Sequence, residues 1–113
     1  MHEVGLMQDA LEIAETWARR SGAARIHRVG MRVGIQSGVV PEALEFAFEA
    51  LAPGTMAEGA RLDIEPVPVV CHCAACESEF VPEGPFYICP LCGGLSADVR
   101  AGRELEVATL EVE

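Results

Sequence analysis

Two C-x-x-C pairs constrain this chain more than anything else in it. Cys73-Ala74-Ala75-Cys76 and Cys89-Pro90-Leu91-Cys92 flank the stretch ESEFVPEGPFYI. Each pair presents both thiolates through one tight turn, and two such knuckles supply four sulfurs for tetrahedral zinc. Two disulfides, or a redox C-x-x-C, are the competing readings, but two pairs at ribbon-like separation are far more specific to zinc than one pair alone. Gly93-Gly94 follows the second pair, where small residues let backbone N–H groups turn toward the sulfurs. Phe80, Val81, Phe86 and Tyr87 surround Pro82-Glu83-Gly84-Pro85, a pattern that reads as the short hairpin of a zinc ribbon. Cys71 and His72 extend the first pair to CHC. Ligand exchange with Cys73 is chemically open to them, yet a closed four-sulfur site leaves them no position, so they read as bystanders at a strand end. Four protein ligands also make this zinc structural, since a catalytic zinc keeps one position for water.

The rest of the chain must supply a core that the zinc module cannot. Its 113 residues suffice for one ordinary domain, or a small core with a satellite, and 50% of them are hydrophobic. Eighteen acidic against eight basic residues give a net charge of -10, the opposite of the basic footprint that nucleic-acid binding requires. No apolar run is long enough for a membrane span, and the start lacks the basic-then-apolar pattern of a signal peptide. A cytoplasmic location is therefore expected, where closely spaced cysteines bind metal more often than they pair.

Periodicity supplies the elements. Val4, Met7, Leu11, Ala14 and Ala18 fall on one face of an opening helix that Ser21-Gly22 stops. In RIHRVGMRVGI, Val29, Met31, Val33 and Ile35 alternate with Arg28, Gly30, Arg32 and Gly34, the period of a strand with one wet face. Pro41 suits the first position of a second helix, PEALEFAFEAL, with Leu44, Ala47, Phe48 and Leu51 on one side. ARLDIEPVPVV and ELEVATLEVE read as two further strands, the latter changing phase near Ala108-Thr109 as a β-bulge would require. The expected fold is α+β: two helices on a small three-stranded sheet, with an inserted zinc-ribbon-like module.

The N-terminus carries the remaining chemical signal. His2 stands at the mouth of the first helix, directly behind Met1. A lone surface histidine is usually unremarkable. Here, however, the α-amino group, the His2 amide nitrogen and the His2 imidazole lie within one dipeptide, a nitrogen set that suits Ni(II) or Cu(II). Glu3 can add its amide nitrogen or its carboxylate. His27, among arginines on a strand, reads as a solvated residue.

Taken together, the start MHE, the stretches RVGIQSGVVPEALEFAFEAL and AEGARLDIE, the paired C-x-x-C knuckles and the terminal LEVATLEVE resemble the HypA/HybF family of hydrogenase nickel-incorporation proteins over essentially the whole chain. The resemblance implies a nickel metallochaperone, not an enzyme. By position it makes His2 the nickel ligand, with the backbone of Met1 and Glu3 as helpers, and Cys73, Cys76, Cys89 and Cys92 the zinc ligands. It implies Ni(II) as cargo, structural Zn(II), the maturation GTPase HypB as partner and the [NiFe] hydrogenase large subunit as destination. The sequence agrees in lacking a G-x-x-x-x-G-K-[ST] phosphate loop, so GTP hydrolysis would fall to the partner. On this reading residues 1–70 and 101–113 form the nickel-binding α/β domain and residues 71–100 the inserted zinc-binding domain. The competing function is a zinc-ribbon protein-interaction adaptor indifferent to nickel.

Overall fold

The computed structural model describes residues 2–113 and has the α+β architecture expected. The first helix, α1 (His2–Arg20), buries Met7, Ala10, Leu11, Ala14 and Ala18, the face that the 3–4 spacing marks out. Glu3 lies in its first turn and Arg19 and Arg20 in its last, each complementing the helix dipole. Its end is a Schellman closure: the Ala23 N–H donates to the Ala18 carbonyl and the Gly22 N–H to that of Arg19, both at 3.0 Å. The second helix, α2 (Pro41–Leu51), starts with proline at its first turn and buries Leu44, Ala47 and Phe48.

Three strands, β1 (Ile26–Gly34), β2 (Arg61–Val67) and a C-terminal Leu105–Val112, form a sheet with β1 at its centre. β1 and β2 run parallel through the α2 crossover, whereas the C-terminal strand is antiparallel to β1. The bulge anticipated in that last strand is present. Gly30 pairs with Thr109 and Met31 with Val107, so Ala108 has no partner, and Leu105, Val107 and Leu110 all pack against the main core despite the change of phase. Val112, expected on the same face, is 39% exposed. α1 packs on α2 and on this C-terminal strand, closing the core of Val29, Met31 and Val33 beneath the helices. On the opposite face Arg28 reaches Asp63, and Arg32 lies between Glu106 (3.1 Å) and Glu65 (3.7 Å). The Arg28 hydrogen bond, aided by Arg61, holds the Asp63 carboxyl below its ordinary range.

The stretch ARLDIEPVPVV is not one strand. β2 ends at Val67, and β3 (Val70–Cys73) begins a second sheet with β4 (Ser78–Phe80) and β5 (Asp98–Ala101), in the order β4-β3-β5. Pro68 lacks the N–H that would continue the ladder, and β2 is an edge strand where Pro66 is tolerated. The C-terminal strand Leu105–Val112 is thus β6. A second small core gathers Cys71, Cys73, Phe80 and Cys89. The molecule is elongated, 53 × 28 × 17 Å. Among the described residues no helix is long and apolar enough to cross a membrane.

The two sheets meet where backbone passes backbone. The Gln36 N–H donates to the Gly102 carbonyl at 2.7 Å, and the Gly34 N–H to that of Glu104 at 2.7 Å. A Cβ on Gly102 would lie 2.7 Å from the Val69 Cα, and Gly102 has φ +109°, a conformation that L residues rarely adopt. Gly102→Ala is therefore expected to cost about 2 kcal/mol or more in chemical denaturation of the zinc-loaded protein. Gly84→Ala, with open space around it and no left-handed φ, should leave the midpoint unmoved.

Candidate metal centre

The hairpin that carries the first C-x-x-C pair turns at the knuckle itself. Cys73 pairs with Ser78 and Cys71 with Phe80, while Glu77 takes a left-handed φ of 51° to close the turn. The hairpin expected around Pro82-Glu83-Gly84-Pro85 does not form; Pro82 and Pro85 withhold N–H groups, and residues 81–87 run irregularly. The second pair is closed by hydrogen bonds from the Cys89 N–H to the Gly94 carbonyl (2.8 Å) and from the Gly93 N–H to the Cys89 carbonyl (2.9 Å), with an isolated bridge between Ile88 and Leu95. Ser96 ties this knuckle to the sheet: its Oγ donates to the His72 carbonyl at 2.6 Å, and its N–H to the Tyr87 carbonyl at 2.8 Å.

Together these turns bring Cys73, Cys76, Cys89 and Cys92 into one cluster whose Sγ atoms all lie within 4.8 Å of one another. The Cys73–Cys92 and Cys76–Cys89 sulfurs are 3.6 and 3.9 Å apart. A tetrahedron with metal–sulfur bonds of about 2.3 Å has edges of about 3.8 Å, close to the two shorter spacings, so the cluster needs only a small contraction to hold zinc. Cys73 and Cys89 are buried, Cys76 half-buried and Cys92 exposed. Hydrogen bonding to Cys92, with burial, pushes the Cys76 thiol up to about 12. Backbone N–H groups of Cys92 and Leu91 draw the Cys89 thiol down to about 7. For Cys89 the donors lie inside the knuckle, while Gly93 supplies the φ of +73° that completes the turn. A divalent cation favours all four thiolates and would hold them as a closed tetrahedral set.

Cys71 lies outside this cluster. It is fully buried between Phe80 and Val99, and burial pushes its thiol up, so it serves as an apolar core residue. His72 lies beside the cluster in β3, with its carbonyl engaged by Ser96 and its ring near Asp98. Neither position enters the four-sulfur set. His27 is exposed and meets the Glu113 carboxylate at 2.9 Å.

His2 begins α1 with its side chain 67% exposed, and its Nδ1 is 3.8 Å from a Glu3 carboxylate oxygen. Met1, the other half of the anticipated N-terminal site, lies outside the described residues. Among the described residues the four cysteines are the one cluster of three or more ligating side chains, so His2 has no ring of side-chain ligands around it.

Comparison with known proteins agrees in sequence and in fold. The family model described as hydrogenase/urease nickel incorporation, metallochaperone, hypA, matches residues 1–112. Hydrogenase maturation factor HypA of Picosynechococcus sp. is 53% identical over 112 residues, covering 99% of both chains. Its counterpart in Geobacter sulfurreducens is 47% identical over 113 residues, covering 100% of both. A solution structure of a HypA protein superposes with a TM-score of 0.77 at 25% identity, over 100% of this chain and 97% of that one. The Ni metallochaperone HypA from Helicobacter pylori, at 24% identity and a TM-score of 0.68, covers 97% of this chain and 96% of its own and shares the fold. The chain belongs to the HypA family of hydrogenase/urease nickel-incorporation metallochaperones.

Proposed function

We propose that this protein binds Ni(II) at its N-terminus and delivers it during maturation of [NiFe] hydrogenase. His2 is the nickel ligand, with the Met1 and Glu3 backbone completing the donor set. Cys73, Cys76, Cys89 and Cys92 hold a structural zinc. The observation that carries this reading is the exposed His2 at the first turn of α1, in a chain of a nickel-incorporation family. Among the described residues no cluster of ligating side chains lies near His2, so backbone nitrogens, which suit Ni(II), complete the set on this reading. A site so placed is open to a receiving protein. A carrier needs that, because cargo locked in a closed shell cannot be passed on.

On this reading the protein is a carrier and not an enzyme. It works in the cytoplasm with the GTPase HypB and hands nickel toward the hydrogenase large subunit. Residues 1–70 with 101–113 are the nickel-binding domain, and residues 71–100 the zinc-binding domain. The test is a nickel titration of the zinc-loaded protein with an untagged N-terminus, followed by calorimetry and by X-ray absorption at the nickel edge. The expected result is a single saturable site with nitrogen-rich ligation and zinc retained. A chain indifferent to nickel would instead be a zinc-ribbon interaction adaptor.

A further inference from the structure

The irregular segment that follows β4 leaves large apolar side chains in solvent. Val81 is 59% exposed, Phe86 71% and Ile88 48%; Ile35, just after β1, is 68% exposed. Two open cavities of about 340 and 320 Å³ share Val81, Glu83, Gly84 and Pro85 in their walls. The first continues to Phe86 and Ile88, the second to Ile35. Both border the segment 81–85, and the second reaches the junction of the two sheets at Ile35 and Val69. Isolated apolar residues on a surface need no explanation, but an apolar groove with a charged residue in its wall marks an interaction site. Its shallow, open form suits a length of chain better than an enclosed small molecule.

Charge selects the occupant. Neither cavity is lined by a lysine or arginine and Glu83 stands in the wall of both, whereas Asp98 is already paired with Arg100 at 2.8 Å. Four thiolates on one divalent ion add two further negative charges beside it. A second copy of this chain would bring its own net charge of -10 against that rim, and an anionic membrane surface would meet the same repulsion. We infer that the groove docks an extended segment of a partner protein in which apolar side chains alternate with lysine or arginine. The apolar side chains fill the space between Val81, Phe86 and Ile88, while a cation meets Glu83. This inference does not rest on nickel binding.

The test uses the full-length, zinc-loaded, nickel-free protein and three labelled nonapeptides: valine alternating with lysine, valine with glutamate, and serine with lysine. Fluorescence anisotropy reads affinity, amide chemical shifts read location, and zinc content confirms that each variant is folded. The valine–lysine peptide is expected to bind best, shifting amides at 35–36 and 81–88. Phe86→Ser and Glu83→Lys should each weaken it about ten-fold. Should Phe86→Ser lose zinc, Glu83→Lys carries the comparison alone. Absence of binding, equal binding of the serine–lysine peptide, shifts confined to another surface, or unchanged affinity in folded variants would overturn the inference. So would concentration-dependent dimerisation of the chain that produces the same shifts. A nickel titration of the same samples reports separately on the N-terminal site.

Discussion

His2→Ala is expected to weaken nickel binding by about 100-fold or more while leaving zinc content and stability as they are. Loss of a group that merely supports a metal ligand typically costs 10–100-fold in affinity, and the imidazole is proposed to be a ligand itself. The side chain is 67% exposed and belongs to no core cluster, so its loss should move stability by less than about 0.5 kcal/mol. An extension placed before Met1 is expected to have a similar effect by a different route, since it converts the terminal amine into an amide. Neither change touches the four thiolates. Isothermal titration with nickel, zinc analysis and thermal denaturation together check the prediction, with hydrogenase maturation in a deletion strain as the functional readout. Unchanged nickel affinity in His2→Ala would move the site elsewhere, with His27 and His72 the next histidines to replace. Unchanged affinity in the extended protein alone would leave the imidazole in place and remove the amine from the donor set.

Zinc removal should act on the other end of the molecule. Chelation, or Cys89→Ser, is expected to abolish hydrogen-exchange protection across β3, β4 and β5 while α1, α2 and β1 retain theirs. The second core comprises Cys71, Cys73, Phe80 and Cys89, two of which belong to the four-sulfur cluster, so little apolar burial remains there without the metal. Structural zinc contributes about 10–16 kcal/mol in small zinc domains, more than such a core can replace. The main core instead depends on Met7, Leu11, Ile26, Val29, Leu44 and Phe48, none of which touches the cluster. Loss of protection in both helices would show that the two sheets fold as one unit. Acidification should mimic chelation, because protons compete with zinc for the thiolates.

The elements of the main sheet were legible where the signal is local. The apolar face of α1, Pro41 at the start of α2 and the alternation in β1 each depend on neighbours a few residues away, which periodicity reports directly. The β6 bulge was legible for the same reason: Leu105, Val107 and Leu110 can share one face only if a residue between them is left unpaired, and Ala108 is that residue. The four-cysteine cluster was legible because a C-x-x-C turn fixes two sulfurs by itself, and two such turns need only meet.

What the sequence by itself determined, then, was the helices, the central strand, the bulge and the four sulfurs, all consequences of short-range geometry. Only the tertiary structure decided that ARLDIEPVPVV divides at Pro68 between two sheets, because the partner strands that continue or end a ladder lie far away in the chain. It likewise decided that Cys71, a bystander to the four sulfurs on the sequence reading, is a fully buried core residue. That depends on Phe80 and Val99 closing over it from β4 and β5, and spacing along the chain carries no record of such a contact.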